Sequence, residues 1–234
     1  DDVFIKSIND VKENGGESRW SEKKLNASKF VVVFDLDETL FNDNCNDECA
    51  KCMDCISLSP GWEKAIVDIK NNGGVVVLFT AKPDYKLIRI MSEWSINING
   101  NKELVADVIG GVFSNNHLTK SKNSETSDIV LLGSKDLRIV DPSLKKVIIV
   151  DDNPTRIIQL KNLRYVRKWK PVKDDDSRNY KDKYHNKFYE ERLSRVVAEI
   201  NDSEKWAINN HTSIVDGFLH YSYMARPINQ EMAD

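Results

Sequence analysis

Phe30-Val-Val-Val-Phe-Asp35-Leu-Asp37-Glu-Thr39-Leu40 is an apolar run that delivers two aspartates, one residue apart, at the point where it ends. A short run this rich in Val and Phe reads as a buried strand of a parallel sheet. Side chains alternate along an extended segment, so Asp35 and Asp37 are expected to point the same way. Two carboxylates held together repel unless a cation lies between them, which makes this strand tip a candidate metal site.

A second apolar strand carries the same signature. Lys145-Lys-Val-Ile-Ile-Val-Asp151-Asp152-Asn153-Pro154 is a β-branched run ending in two more acids, and Pro154 is placed to open a helix through about Lys161. In open α/β sheets, ligands bind in the crevice beyond the carboxyl ends of the strands, so the two tips converge if the strands are neighbours. Oxygen ligands suit a hard cation, Mg2+ above all. Val75-Val-Val-Leu-Phe-Thr80-Ala81-Lys82-Pro83 is a third buried strand, ending in a hydroxyl, and Lys135-Asp136-Leu137 follows the apolar run from Ile129 to Leu132. A hydroxyl and an ammonium are what a phosphoryl group needs at its equatorial oxygens. Taken singly, an Asp-x-Asp is an ordinary turn or helix cap, Thr80 a strand-end hydroxyl and Lys135 a solvated lysine. Their joint occurrence at successive strand ends is what argues for a site.

The order Asp35-Leu-Asp37-Glu-Thr39, Thr80, Lys135, Asp151-Asp152 resembles the four motifs of the haloacid dehalogenase (HAD) superfamily of aspartate-nucleophile phosphotransferases. Within it, the chain is similar to phosphatases of the RNA polymerase II carboxy-terminal-domain branch, the FCP/SCP-like and NLI-interacting-factor-like proteins. The supporting residues also include Pro60-Gly61, Phe79-Thr80-Ala81 followed by Tyr85, Asn153-Pro154 and Trp169, over roughly residues 29 to 170. The resemblance implies that Asp35 attacks phosphorus and that Asp37 acts as acid and then base. It further implies that Thr80, Ala81 and Lys135 bind the phosphoryl oxygens. Asp35, the backbone carbonyl of Asp37, and Asp152 would hold Mg2+, with Asp151 positioning a metal-bound water. That branch typically has Asp-Asn-Ser-Pro where this chain has Asp151-Asp152-Asn153-Pro154, so which of the two acids is the inner ligand stays open.

Two readings from other classes compete. Receiver domains of phosphorelay signalling use similar groups, but there the acid pair comes first and the acceptor later, and no acid follows two residues after the acceptor. A catalytically silent binding scaffold predicts the loss of a key acid, and none is missing. Within the superfamily, a phosphatase of small molecules or nucleic-acid ends is the remaining alternative.

The expected fold is α/β, a Rossmann-like parallel sheet with helices on both faces, no large cap, a small hairpin insertion and a C-terminal helical extension. Three regions are expected: an N-terminal arm over 1–28 packed by Trp20, a core over 29–172 with a Cys-rich loop at 42–58, and two helices over 173–234 laid on the core. Helices are read from Pro60-Gly61 to about Asn71 and from Asp84 to Trp94, the latter placing Leu87, Ile88 and Met91 inward. A last core strand is read from Leu163 to Trp169. Val108 to Phe113, around Gly110-Gly111, suggests the hairpin. The short gap from Leu40 to Pro60 leaves no room for a cap, and an open crevice favours a phosphoprotein substrate.

Cys45, Cys49, Cys52 and Cys55 are the only four cysteines and share one loop. Their spacing could supply a structural Zn2+ site, two disulfides in an oxidising compartment, or free thiols. At 234 residues, 40% hydrophobic and a formal charge of -3, the chain can bury one good core and has no global attraction to nucleic acid. No stretch approaches the roughly 18 apolar residues of a membrane span. A soluble protein, cytoplasmic or exported, is expected, with its oligomeric state left open.

Overall fold

Runs of Val, Ile and Phe alternating toward two apolar layers build the centre of this molecule. The structure is a computed structural model that describes residues 20–44, 52–119, 133–171 and 180–225. In chain order its elements are α1 (Glu22–Ala27), β1 (Phe30–Phe34), β2 (Phe41–Asp43), β3 (Ile56–Leu58), α2 (Trp62–Asn71), β4 (Gly74–Phe79), α3 (Asp84–Glu93), β5 (Ser95–Ile98), β6 (Asn101–Leu104), α4 (Val105–Val108), β7 (Gly111–Phe113), β8 (Val147–Asp151), β9 (Leu163–Tyr165), α5 (Tyr180–Asn209) and α6 (Ile214–Ala225). Five strands pair in the order β7-β4-β1-β8-β9. Every pairing is parallel, with Val33 opposite both Val77 and Ile149.

The central strands β1, β4 and β8 are apolar on both sides because both sheet faces are covered. Phe30, Val32 and Phe34 pack with Ile66 and Ile69 of α2, Leu87 of α3, Leu193 and Val196 of α5 and Phe218 of α6. Val31 and Val33 face Leu25 of α1 together with Leu118, Leu137 and Ile157 from loops and 3-10 turns. Trp20 stacks on Phe113 with centroids 5.1 Å apart, so the indole of the arm does pack on the sheet. Gly217 lets α6 press onto α5, since a Cβ there would lie 2.2 Å from the Ser203 carbonyl oxygen.

Local expectations differ from the structure in several places. Val108 to Phe113 is not a hairpin: α4 ends in it and Gly111–Phe113 is a parallel edge strand on β4. The hairpin is β5–β6, turned by Asn99 and Gly100 at φ +51 and +85. Asn-Gly is the residue pair that a two-residue turn with positive φ favours. In α3, Ile88 is exposed and Ile90 is buried, on the i, i+3, i+4 face with Leu87 and Met91. Pro154 opens only a single 3-10 turn to Arg156, with Asn153 as its N-cap, because the chain then pairs with Lys135. The last core strand stops at Tyr165. The apolar run at Ile129 to Leu132 lies outside the described residues, as do residues 1–19. No helix among the described residues is long and apolar enough to cross a membrane.

Candidate active site

Parallel pairing of β1 with β8 sets Phe34 opposite Val150, which puts the residues that follow them at the same end of the sheet. The Asp35 backbone N–H donates to the Val150 carbonyl at 3.0 Å. Asp35, Asp151 and Asp152 are buried, and one carboxylate oxygen from each lies within 4.8 Å of the others. Thr80 follows β4 on the other side of β1, fully buried, with its hydroxyl accepting the Lys82 N–H at 3.1 Å. Ala81 sits exposed in the turn beyond it.

Lys135 closes the cluster from a loop. Its backbone is pinned by an N–H donated to the Arg156 carbonyl at 2.7 Å and by the Ile158 N–H donated to its own carbonyl at 3.2 Å. Asp136 beside it accepts from Arg138 and from the Gln159 side chain, which holds that loop in shape. The Lys135 ammonium then reaches 2.6 Å from both Asp35 Oδ1 and Asp151 Oδ2. Burial works against its charge, but Asp35 and Asp151 outweigh that and raise its pKa.

One ammonium among three buried carboxylates leaves an excess of negative charge. Burial pushes Asp35 up to about 7; Lys135 pulls the other way, and Asp151 and Asp152 add to the rise. Asp152 is also raised, mainly by burial, against the hydrogen bond that Thr39 Oγ1 donates to its Oδ1 at 2.9 Å. Close carboxylates of this kind, with oxygen the sole donor type, fit a hard divalent cation.

Asp37 is not in that cluster. β1 ends at Phe34, and the chain turns through Glu38, whose φ of +59 is unusual for a residue with a side chain. The strand alternation that would aim both acids alike therefore ends at Asp35. The Asp37 carboxylate, with its side chain 42% exposed, meets the Lys82 ammonium at 2.8 Å.

Sequence reasoning left three supporting residues unassigned. Thr39 orients Asp152, as above. Lys82 joins Asp37 to Asp43 of β2. Arg192 of α5, 1% exposed, donates to the carbonyls of Thr39, Arg167 and Glu38 and to the Ser59 hydroxyl. A signal for it existed: Tyr189, Arg192 and Val196 are spaced i, i+3, i+7, so Arg192 holds an inward position of an amphipathic helix.

The cysteines separate from this chemistry. Cys55 is disulfide-bonded, and a disulfide sulfur is not the thiolate that zinc requires. The four-cysteine zinc site is thus replaced by the disulfide reading at Cys55. Cys45, Cys49 and the side chain of Cys52 lie outside the described residues.

A family model for NLI interacting factor-like phosphatases matches residues 30–198. The chain belongs to that family. It is accordingly a phosphatase of the HAD type, and the matched span runs from β1 into α5, including all four motifs. No curated protein sequence matches the chain. Among solved structures, a variant of the fission yeast RNA polymerase II CTD phosphatase Fcp1, bound to beryllium fluoride, is similar to it at 12% identity and a TM-score of 0.45. The similarity covers 82% of this chain and 70% of that one.

Proposed function

We propose that this phosphatase hydrolyses phosphomonoesters through an aspartyl phosphate on Asp35, with Mg2+ as cofactor and phosphoproteins as substrates. The observation that carries the reading is the Lys135 ammonium 2.6 Å from both Asp35 and Asp151, with Asp152 in the same cluster, at the ends of adjacent parallel strands.

Asp35, Asp152 and the Asp37 backbone carbonyl would hold the ion, with Asp151 beside them. Bound there, Mg2+ neutralises negative charge on the transferring phosphoryl group. An Asp35 carboxylate oxygen attacks phosphorus, the ester O–P bond breaks, and the leaving oxygen takes the proton of Asp37. Water then attacks the phosphorus of the aspartyl phosphate, giving a proton back to Asp37 and releasing inorganic phosphate and free Asp35. Lys135, the Thr80 hydroxyl and the Ala81 backbone are suited to holding the non-bridging oxygens, where charge accumulates.

The substrate class rests on access. Among the described residues, Leu40 to Pro60 contributes the short β2–β3 hairpin and a 3-10 turn at Cys52–Cys55, and the β5–β6 hairpin is four residues a strand. With no domain-sized cover among the described residues, the crevice can admit a phosphate displayed on a protein. The test is release of p-nitrophenol from p-nitrophenyl phosphate under Mg2+ by wild type and Asp35→Asn, followed by a panel of phosphoserine, phosphothreonine and phosphotyrosine peptides. Wild-type turnover lost in Asp35→Asn and on chelation is expected. Equal rates in the two proteins would remove Asp35 as nucleophile, and a long-lived phosphoaspartate without turnover would indicate signalling rather than hydrolysis.

A further inference from the structure

Lys82 stands where three segments of the site meet. Its backbone is fixed from two sides: its N–H donates to Thr80 Oγ1 at 3.1 Å, and its carbonyl accepts the Asn115 N–H at 3.0 Å. Its side chain, 10% exposed, crosses from the loop after β4 to the β2–β3 hairpin and passes over the Phe41 ring, 5.5 Å from the centroid. There the ammonium binds Asp43 and, at 2.8 Å, Asp37. Asp43 is itself held in register opposite Ile56. Asp37 has Lys82 as its one ion-pair partner among the described residues.

We infer that Lys82 is a positioning residue for Asp37, fixing that carboxylate at the mouth of the site so that it meets the leaving oxygen. The inference rests on the proposed role of Asp37 as proton donor. A half-exposed aspartate after the end of a strand samples several rotamers, each misaligned for proton transfer save one. An ammonium braced by Asp43 and Phe41 selects among them. Positioning matters on this scale, because a displacement of about 1 Å at a reacting group can cost on the order of 100-fold in rate. The same ammonium ties Asp43 of the hairpin to the loop after β4.

A positioning role for the acid predicts a loss that depends on the leaving group. Nitrophenolate departs readily without a proton, whereas phenolate needs one, so the deficit grows as the leaving group becomes more basic. The experiment measures first-turnover phenol release from p-nitrophenyl, chlorophenyl and phenyl phosphate under Mg2+ by wild type, Lys82→Met, Lys82→Arg and Asp43→Asn. Lys82→Met is expected to lose about 10-fold more on phenyl than on p-nitrophenyl phosphate. Lys82→Arg restores most of the difference, and Asp43→Asn, which weakens the brace, shows an intermediate slope. The same fractional loss on all esters, or no loss, would overturn the inference and leave Lys82 a structural or phosphate-binding cation. Should Lys82→Met fail to fold, the slope of Asp43→Asn decides: a wild-type slope there also overturns it. Activity surviving in Asp35→Asn would instead sink the underlying reading, so the two failures are told apart.

Discussion

Replacing Arg192 with Met should cost about 2–4 kcal/mol of stability and lower turnover together, because this guanidinium from α5 supports the backbone of the turn that carries Asp37 and Thr39. Its bonds to the Thr39 and Arg167 carbonyls are short, that to the Ser59 hydroxyl is 3.1 Å, and that to the Glu38 carbonyl is a marginal 3.4 Å. Hydrogen bonds to a charged group contribute roughly 1.5–3 kcal/mol each, so the two strongest alone amount to about 3–6 kcal/mol. Met spares the protein the cost of burying a charge, which returns about 1–2 kcal/mol and sets the net figure. The Glu38 carbonyl keeps the Trp169 N–H at 2.7 Å, so the turn loosens rather than collapses. Yet Glu38 sits at φ +59, a conformation that persists only where its surroundings over-determine it. Relaxation there would move Asp37 and Thr39, its immediate neighbours. The assay is equilibrium urea unfolding of wild type and Arg192→Met, with Mg2+-dependent hydrolysis of an aryl phosphate on the folded proteins. Arg195→Met is the control: one turn along, its pair with Glu191 is exposed, and the variant should unfold with wild type. A loss below about 1 kcal/mol with full turnover in Arg192→Met would refute the reasoning.

Two other perturbations test the supporting shell. Thr39→Val removes the hydrogen bond that orients Asp152 while keeping the shape, and should raise the Mg2+ concentration for half-maximal activity about 10-fold; an unchanged Mg2+ titration would remove Thr39 from the site. Asp136 is buried yet held below the usual carboxylate range, because the bonds from Arg138 and Gln159 outweigh burial. A lowered folded-state pKa stabilises above the unfolded value near 3.8 and ceases to do so as pH falls through the folded value. Asp136→Asn should therefore lose about 2 kcal/mol at pH 7 and progressively less below pH 4, read by urea unfolding across pH; a pH-independent difference would count against the ionised carboxylate as the cause.

The acids were legible because each sits where an apolar run stops, and a run buried on both faces can place a polar side chain only at its end. Asp35, Thr80, Asp151 and Asp152 are all of this kind. The hairpin expected at Gly110-Gly111 lies instead at Asn99-Gly100, because the Gly110-Gly111 pair joins a short helix to an edge strand. Ile88 is exposed because the inward stripe follows i, i+3, i+4 from Leu87, which selects Ile90 and Met91 and leaves Ile88 off that face.

Local pattern therefore pointed to the central strands and the acids at their tips, and the order of the motifs to the family. Only the folded chain decided that Asp37 turns away to Lys82 while Asp35, Asp151 and Asp152 stay together, and that an arginine some 150 residues further along reaches the turn between them. The reason is physical: periodicity reports which face a residue lies on, but an ion pair or a carbonyl contact depends on distance between segments, which is set by strand order and helix packing.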